Sequence, residues 1–206
     1  MSTQYTLYSH RGPGPNPLKA AVLMEHLGLS YDVVPLDFGD DPEKGNDSDK
    51  FSVWESGAIL YYLCDKHDKE GKFLGKTTEE RAIVMQWLTH QLSGLGPVQG
   101  NVNYLIHYWQ GTYGEEPQKS AFTRFEGEAA RLYQVLEDQL KKQQQRGSSF
   151  IALDRPTIAD FAFWTWVRIA SFGNIDLSPY PAVQKWCATI ENDAKSQAAV
   201  AKLPIK

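Results

Sequence analysis

Hydrophobic and polar positions follow two different periods in the two parts of this chain. Near the N-terminus, Tyr5 to Ser9 and Tyr31 to Leu36 have the alternation or the Val-rich composition of short strands. Asn16-Pro17 is typical of a helix start, with Asn as N-cap, and Gly28 is typical of a helix end. Strand, helix and strand in this order predict a right-handed parallel crossover.

A second strand-to-helix transition follows at residues 51–64. Phe51 to Trp54 predicts a short strand, and Ala58 to Cys64 predicts an apolar helix. Glu55 and Ser56 fall at the junction. The polar segment 66–76 predicts a linker between residues 1–65 and a second domain over residues 77–206.

After the linker the period is helical throughout. Two capping-box patterns, Thr77-x-x-Glu80 and Thr157-x-x-Asp160, indicate helix starts. The predicted helices cover residues 77–93, 98–109, 118–146, 157–167 and 181–191, with a break or kink at Gly94-Leu-Gly-Pro97 and a short tail at the end. The predicted fold is therefore a small α/β domain followed by an all-α domain.

The composition of the chain indicates which classes of binding partner and which location to expect. The 206 residues have a formal net charge of −4, which does not favour nucleic acid or an anionic membrane. No apolar run reaches the length of a membrane span, and the first residues lack a signal-peptide pattern. Cys64 and Cys187 are far apart and form no metal-ligand motif, so we expect no metal site, two buried thiols and a reducing, cytoplasmic location.

The junction at Glu55 and Ser56 is a candidate ligand site. A helix start has unpaired N–H groups and partial positive charge, so Ser56 can bind a carboxylate while Glu55 pairs with an ammonium group. An α-amino acid head group presents both charges on one carbon. The alternative is that the two residues only cap the helix.

Several separated segments together resemble the glutathione transferase superfamily, and most of all its fungal nitrogen-regulator-like and bacterial nu-class branches. They are Leu7 to Pro17, Val34 to Asp37, Trp54 to Leu63, Gly94 to Val98, Arg124-Phe with Arg131 to Leu136, Thr157 to Asp160 and Tyr180 to Trp186. The resemblance implies a thioredoxin-like N-terminal domain, an all-helical C-terminal domain, glutathione as substrate or cofactor, and a homodimer.

The resemblance also implies roles for individual residues. Glu55 and Ser56 would bind the γ-glutamyl head group, and Arg124 would approach glutathione from the second domain. Asn16 would donate a hydrogen bond from its side chain to the sulfur, stabilising a thiolate. For Asn16 the alternative is a helix cap, and for Arg124 it is a solvated or helix-pairing side chain.

A second-substrate pocket for a hydrophobic small molecule is expected between the domains. Its candidate residues are Tyr104, His107 and Tyr108 on one helix and Trp164 and Arg168 on another. For each of them a place in the core is the alternative, and His107 is better explained as a packed histidine than as a base.

Four functions fit these predictions. The leading one is addition of the glutathione thiolate to an electrophile, in detoxification or specialised metabolism. A glutathione-dependent cis/trans isomerase, a disulfide reductase using two glutathiones, and a non-catalytic regulatory protein remain as alternatives.

One departure from the family is serious. Members have a helix and a strand with a cis-proline that binds the cysteinyl backbone, and about twenty residues of this kind are absent between Gly45 and Asn46. The strand at residues 51–53 would then lack its neighbour. We expect the expressed protein to contain the segment; a mass near 23.3 kDa would show that the deletion is real.

Overall fold

Two parallel strands joined by a helix form the N-terminal unit, as predicted. The computed structural model describes residues 4–11, 14–37 and 51–203. Strand β1 (Tyr5–His10) pairs in parallel with β2 (Tyr31–Leu36), in a register that begins at Tyr5 opposite Tyr31. Helix α1 (Pro15–Leu27) connects them and ends at Gly28, which adopts φ of 70°. Glycine tolerates this left-handed conformation without a Cβ clash, which explains the stop.

The start of α1 differs from the prediction. The N-cap is Gly14, and Asn16 lies inside the first turn without a side-chain capping bond. The interpretation of Asn16 as a helix cap is therefore wrong. A β-carbon on Gly14 would lie 2.2 Å from Nε2 of His10, so the close approach of that ring requires glycine here.

The predicted strand at Phe51 to Trp54 does not form. Residues 51–54 have no regular structure, and the side chains of Phe51 and Trp54 are 75% and 79% exposed. Within the described ranges, β1 and β2 form a two-stranded sheet, and residues 51–54 are not part of it. The junction between Gly45 and Asn46 lies outside the described residues.

The rest of the chain is helical, with bounds close to those predicted. The helices are α2 (Ser56–His67), α3 (Thr78–His90), α4 (Gly96–His107), α5 (Trp109–Tyr113), α6 (Lys119–Gln145), α7 (Ile158–Val167), α8 (Pro181–Glu191) and α9 (Ala194–Lys202). A π-helical turn (Gln91–Leu95) joins α3 to α4. The glycines that predicted a break or kink at residues 94–96 therefore lie in a continuous but widened helix.

Helix α7 forms the centre of the core. All ten of its residues are buried, and it packs on α1 and α3. Helix α9 replaces the predicted tail and packs on α1, where Lys202 pairs with Glu25 at 2.7 Å. The last helix of the chain thus covers the first one.

The described ranges contain neither a membrane-spanning helix nor a metal-binding cluster. No helix there combines the length and apolarity needed to cross a bilayer. In the same ranges, no group of three or more His, Cys, Asp or Glu side chains is placed to bind a metal ion.

Candidate functional site

Helix α2 begins in a strained conformation at the residue predicted to bind an amino acid head group. Glu55 has φ of 69° and ψ of 118°, a backbone region that non-glycine residues rarely adopt. Its carbonyl oxygen accepts from the N–H of Ile59 at 2.9 Å, but its side chain makes no capping bond. The Glu55 side chain is exposed. Strain of this kind is found most often at functional sites, because the surrounding structure has to maintain it.

The first turn of α1 concentrates its hydrogen-bond donors at Asn16. Pro15 and Pro17 have no N–H group, so Asn16 provides the only backbone donor among the first three helical residues. Its side chain is exposed. Together with the positive end of the helix dipole, this arrangement suits an anion such as a thiolate.

Lys19 connects these two helix starts, and its side chain is only 1% exposed. Its Nζ donates to Oε1 of Gln91 at 2.7 Å and lies 3.4 Å from Oγ of Ser56. Burial lowers the pKa of Lys19 to about 7, while the charge of Glu55 acts in the opposite direction. A titratable cation therefore lies behind Ser56, on the side opposite to solvent.

The π-helical turn brings the second domain against both helix starts. Gln91 binds Lys19 of α1, as described above. A β-carbon on Gly57 would lie 2.3 Å from Cδ1 of Leu92, so α2 approaches the turn through a position that has no side chain. Widened turns of this type are frequent at functional sites.

A further contact comes from α7. The indole Nε1 of Trp166 donates to Oδ1 of Asn16 at 3.2 Å. The two helix starts are thus linked to the helical part of the chain. Asn16 contacts α7 through Trp166, and Lys19 contacts the π-helical turn through Gln91. Ser56 and Glu55 are linked to this turn through Lys19.

Arg124 is not part of this cluster. It is exposed on α6, where its charge, like that of Arg131, lowers the pKa of Glu128. No hydrogen bond or ion pair joins Arg124 to Asn16, Glu55 or Ser56 in the described part of the chain, and its contact with a ligand stays a prediction.

Of the residues predicted to line the second-substrate pocket, Tyr104 and Tyr108 contact each other on α4, and their role in a pocket stays a prediction. Tyr104 and Tyr108 stack with ring centroids 6.1 Å apart, and Tyr108 is 48% exposed. The His107 ring stacks on Phe172 at 3.9 Å, and its Nε2 lies 2.6 Å from the Phe172 carbonyl oxygen. His107 is exposed at the surface, where its ring stacks on Phe172 and forms this hydrogen bond.

The predicted pocket role of Trp164 does not fit its burial, whereas that of Arg168 stays a prediction. Trp164 is fully buried, and its Nε1 donates to Oε2 of Glu191 at 3.0 Å. The Arg168 guanidinium lies over the Trp164 ring and pairs with Glu191 at 3.3 Å. Both side chains are satisfied by α8 because their face of α7 is turned towards that helix.

Neither cysteine is placed to act as a nucleophile. Cys64 is buried and Cys187 is half-buried, and both thiols are free. Burial raises the pKa of the Cys64 thiol strongly and that of Cys187 to about 12, so both stay protonated at neutral pH. A thiolate used by this site would have to come from a ligand.

Sequence reasoning missed Lys19, Gln91 and Trp166. Only Lys19 left a local signal, as a single cation within the otherwise apolar segment 18–24 of α1. A charged residue at a core position of a helix requires a polar partner, so a buried partner for Lys19 could have been predicted from the sequence.

Comparison with known proteins agrees with this geometry. The family model for the glutathione S-transferase C-terminal domain matches residues 119–189. Glutathione S-transferase 2 of Schizosaccharomyces pombe is 33% identical over 180 residues, which cover 79% of this chain and 74% of the relative. Disulfide-bond oxidoreductase YfcG of Escherichia coli is 32% identical over 213 residues, covering 92% of each chain. The chain belongs to the glutathione S-transferase superfamily.

Solved structures of this superfamily have the same fold. The transferase URE2P6 of Phanerochaete chrysosporium, in complex with oxidised glutathione, is 31% identical, with a TM-score of 0.83 over 98% of this chain and 96% of that one. A transferase homologue of Lodderomyces elongisporus, with two glutathiones per subunit, is 28% identical, with a TM-score of 0.82 over 95% and 97%. Ure2p in complex with glutathione is 28% identical, with a TM-score of 0.84 over 94% and 97%. The thioredoxin-like and all-α class of the fold predicted from the sequence is thereby confirmed.

Proposed function

We propose that this chain binds glutathione and activates its thiol for addition to an electrophilic, largely apolar small molecule. Ser56 binds the carboxylate of the γ-glutamyl group through its hydroxyl and backbone N–H, and Glu55 pairs with the ammonium group. Asn16 donates from Nδ2 to the sulfur. The ligand's thiol, whose ordinary pKa is about 8.5, is then ionised to a larger extent at neutral pH.

One observation supports this proposal above the others: Lys19 brings the two helix starts together. Its Nζ lies 3.4 Å from Ser56 Oγ, while Asn16 is three residues earlier on the same helix. This proximity supports the proposal, because a tripeptide with a carboxylate at one end and a thiol further along would need its two contacts on neighbouring elements.

Beyond the contacts above, the reaction uses only the atoms of glutathione, the electrophile and water. The thiol proton leaves to solvent and the thiolate forms a carbon–sulfur bond. In addition to an alkene the displaced electron pair takes up a proton from water, and with a substrate such as 1-chloro-2,4-dinitrobenzene a leaving group departs with its electron pair. We place the electrophile beside Tyr104 and Tyr108, whose stacked rings provide an exposed aromatic surface on α4.

Variants of Asn16 test the thiolate role, with the ultraviolet absorbance of bound thiolate and turnover of 1-chloro-2,4-dinitrobenzene as readouts. Asn16→Ala should raise the pKa of bound glutathione and slow turnover more than it weakens binding. Asn16→Asp should be slower still, because it places a negative charge beside the thiolate. The control is Asn101→Ala, which removes a solvent-exposed amide of α4.

The outcomes separate the alternatives. Identical thiolate titrations in wild type and Asn16→Ala would refute the role of Asn16. Glutathione binding without turnover would favour a regulatory protein, and isomerisation of a conjugated alkene without glutathione consumption would favour an isomerase.

A second candidate function is disulfide reduction. The E. coli relative is named a disulfide-bond oxidoreductase, and one neighbouring structure contains two glutathiones per subunit. Two thiols would reduce one disulfide, yielding oxidised glutathione and two product thiols, without a protein cysteine. Activity on bis(2-hydroxyethyl) disulfide that persists in Cys64→Ser/Cys187→Ser would support this function, and loss of that activity would contradict it.

We also propose that the chain forms a homodimer in the cytoplasm. Phe51, Trp54, Tyr61 and Ile83 are large apolar side chains exposed by 41% to 79%, a surface that a second copy could cover. Sedimentation equilibrium tests this proposal: wild type should be dimeric, and Trp54→Glu should shift it towards monomer.

A further proposal concerns the segment missing between Gly45 and Asn46. The alignment with the E. coli relative extends over 213 positions, more than the 206 residues of this chain, so the relative has residues where this chain has none. We propose that the expressed protein contains this segment, with a Val-Pro beside the thiol. Intact-mass spectrometry tests this: an excess of about two kilodaltons over 23.3 kDa would support the proposal, and a mass near 23.3 kDa would refute it.

A further inference from the structure

The carboxamide of Asn16 can serve a thiolate in only one of its two orientations. With Nδ2 towards the sulfur it donates a hydrogen bond, whereas with Oδ1 towards the sulfur it places an electron-rich oxygen beside an anion. The two orientations have nearly the same shape, so packing alone distinguishes them poorly. A specific polar partner is needed to select one.

Trp166 is such a partner, because an indole N–H can only donate. Its Nε1 lies 3.2 Å from Oδ1 of Asn16, across 150 residues of sequence. This contact requires the oxygen of Asn16 to face the indole. Nδ2 then lies on the other branch of the carboxamide, where it makes no hydrogen bond with any residue that the structure describes.

The indole itself is fixed by α4. A β-carbon on Gly100 would lie 3.3 Å from the Trp166 ring, and one on Gly96 would lie 3.4 Å from it. The two glycines are one turn apart, so the flat ring lies against a face of α4 that has no side chains. Trp166 is 8% exposed, and its ring is in close contact with this face of α4.

The backbone of Trp166 is fixed as well. Its carbonyl oxygen accepts from Nε2 of Gln99 at 2.9 Å, and Oε1 of Gln99 accepts from the Tyr133 hydroxyl at 2.8 Å. This buried chain of hydrogen bonds ties α7 to α4 and α6. The donor that meets Asn16 thus belongs to the rigid part of the second domain.

We infer that Trp166 is a positioning residue for the thiolate site: its indole N–H fixes the carboxamide of Asn16 so that Nδ2, and not the oxygen, is left for the sulfur of glutathione. This inference rests on the proposed role of Asn16. It gives the Gly96 to Gly100 segment a function, namely to let an aromatic donor from α7 reach the start of α1.

Trp166→Phe removes the N–H and keeps an aromatic ring. The pKa of bound glutathione should rise by about half a unit or more, and kcat/KM for 1-chloro-2,4-dinitrobenzene should fall roughly 3- to 10-fold, the effect of one neutral hydrogen bond. The Kd of S-methylglutathione should change less than about 2-fold, since its head-group contacts are intact. Trp164→Phe is the matched control: it removes an indole donor from the same helix that binds Glu191 instead.

A double-mutant cycle separates positioning from general structure. In the Asn16→Ala background, Trp166→Phe should cause no further change in thiolate pKa, because there is no carboxamide left to orient. An equal rise of the thiolate pKa in both backgrounds would overturn the inference, as would an unchanged thiolate pKa in folded Trp166→Phe.

A measurement on the unliganded protein keeps the test independent of turnover and of the folding of Trp166→Phe. The Trp166 indole N–H resonance should move upfield in Asn16→Ala, which loses the acceptor, and should not move in Asn101→Ala. An unmoved resonance overturns the inference whatever the activity. If the resonance moves but Asn16→Ala titrates glutathione like wild type, the proposed function of Asn16 has failed instead, and the inference fails with it.

Discussion

Helices α2 and α7 both begin at polar residues that a sequence pattern identifies, but the two starts are built differently. At α7, buried Asp160 accepts four hydrogen bonds, from Thr157 N–H and O–H, Ile151 N–H and the Trp186 indole. At α2, Glu55 has a strained backbone, and neither its side chain nor that of Ser56 caps the helix. The first start is complete within the protein, whereas the second has no side-chain cap within the described residues.

The comparison suggests a rule for helix starts. A start whose polar groups are all hydrogen-bonded within the protein contributes to stability, and a start whose groups lack such partners is a candidate for binding. Burial raises the pKa of Asp160 while its hydrogen bonds act in the opposite direction, so the carboxyl group is fully engaged. Changes at α7 should therefore affect stability, and changes at α2 should affect binding.

The largest effect is expected at Asp160. Asp160→Ala should lower the free energy of unfolding by about 3–5 kcal/mol, because several buried donors lose their acceptor at once. Urea denaturation measures the loss, and Asp138→Ala on the exposed face of α6 should change stability by less than about 0.5 kcal/mol. A cost at Asp160 no greater than that of the control would contradict the comparison.

At Ser56 the effect should appear in binding. Ser56→Ala should weaken glutathione binding by about 1.5–3 kcal/mol, roughly 10- to 100-fold in Kd, since a hydrogen bond to a carboxylate is lost. Unfolding should change little. Calorimetric titration measures the affinity, with Ser120→Ala on α6 as control; equal affinities for both variants would remove Ser56 from the site.

Lys19 should make stability depend on pH. Below about pH 7 it is protonated in both folded and unfolded chains, whereas above that pH only the unfolded chain keeps the proton up to about pH 10.4. The free energy of unfolding should therefore rise with pH between 7 and 9, by up to about 1.4 kcal/mol per unit. Urea titrations at several pH values should show this rise in wild type, and its persistence in Lys19→Met would assign it to another group.

The smallest expected effect is the stability cost of the strained backbone at Glu55. Glycine adopts the observed φ of 69° freely, whereas alanine does not. Glu55→Gly should therefore be more stable than Glu55→Ala by about 1 kcal/mol, although both lose the side chain that pairs with the ammonium group. Equal unfolding midpoints would show that the conformation costs nothing.

Local patterns were sufficient for most of the helices. The helical period predicted α6 within one residue at each end, and the Thr157 to Asp160 pattern located the start of α7. The helix start at Glu55 and Ser56 was predicted as well, because capping preferences act within a few residues. The Asp193 side chain caps α9, and this signal in an Ala-rich segment was overlooked.

The strand predicted at residues 51–54 shows where local reasoning ends. Its composition favours a strand, but a strand also requires a neighbour for its backbone hydrogen bonds, and β-propensity measures fit to that neighbour as much as anything intrinsic.

The sequence by itself determined the helical domain, the parallel pair β1 and β2, and the polar residues at the start of α2. Tertiary structure decided which of two similar tryptophans belongs to the site: Trp164 turns to Glu191, and Trp166 turns to Asn16. Helix α7 is buried on every side, so its pattern shows no polar face from which either direction could be deduced. The partner of Lys19 could not be deduced from the sequence either. Gln91 lies 72 residues away, and only tertiary packing brings the two side chains together.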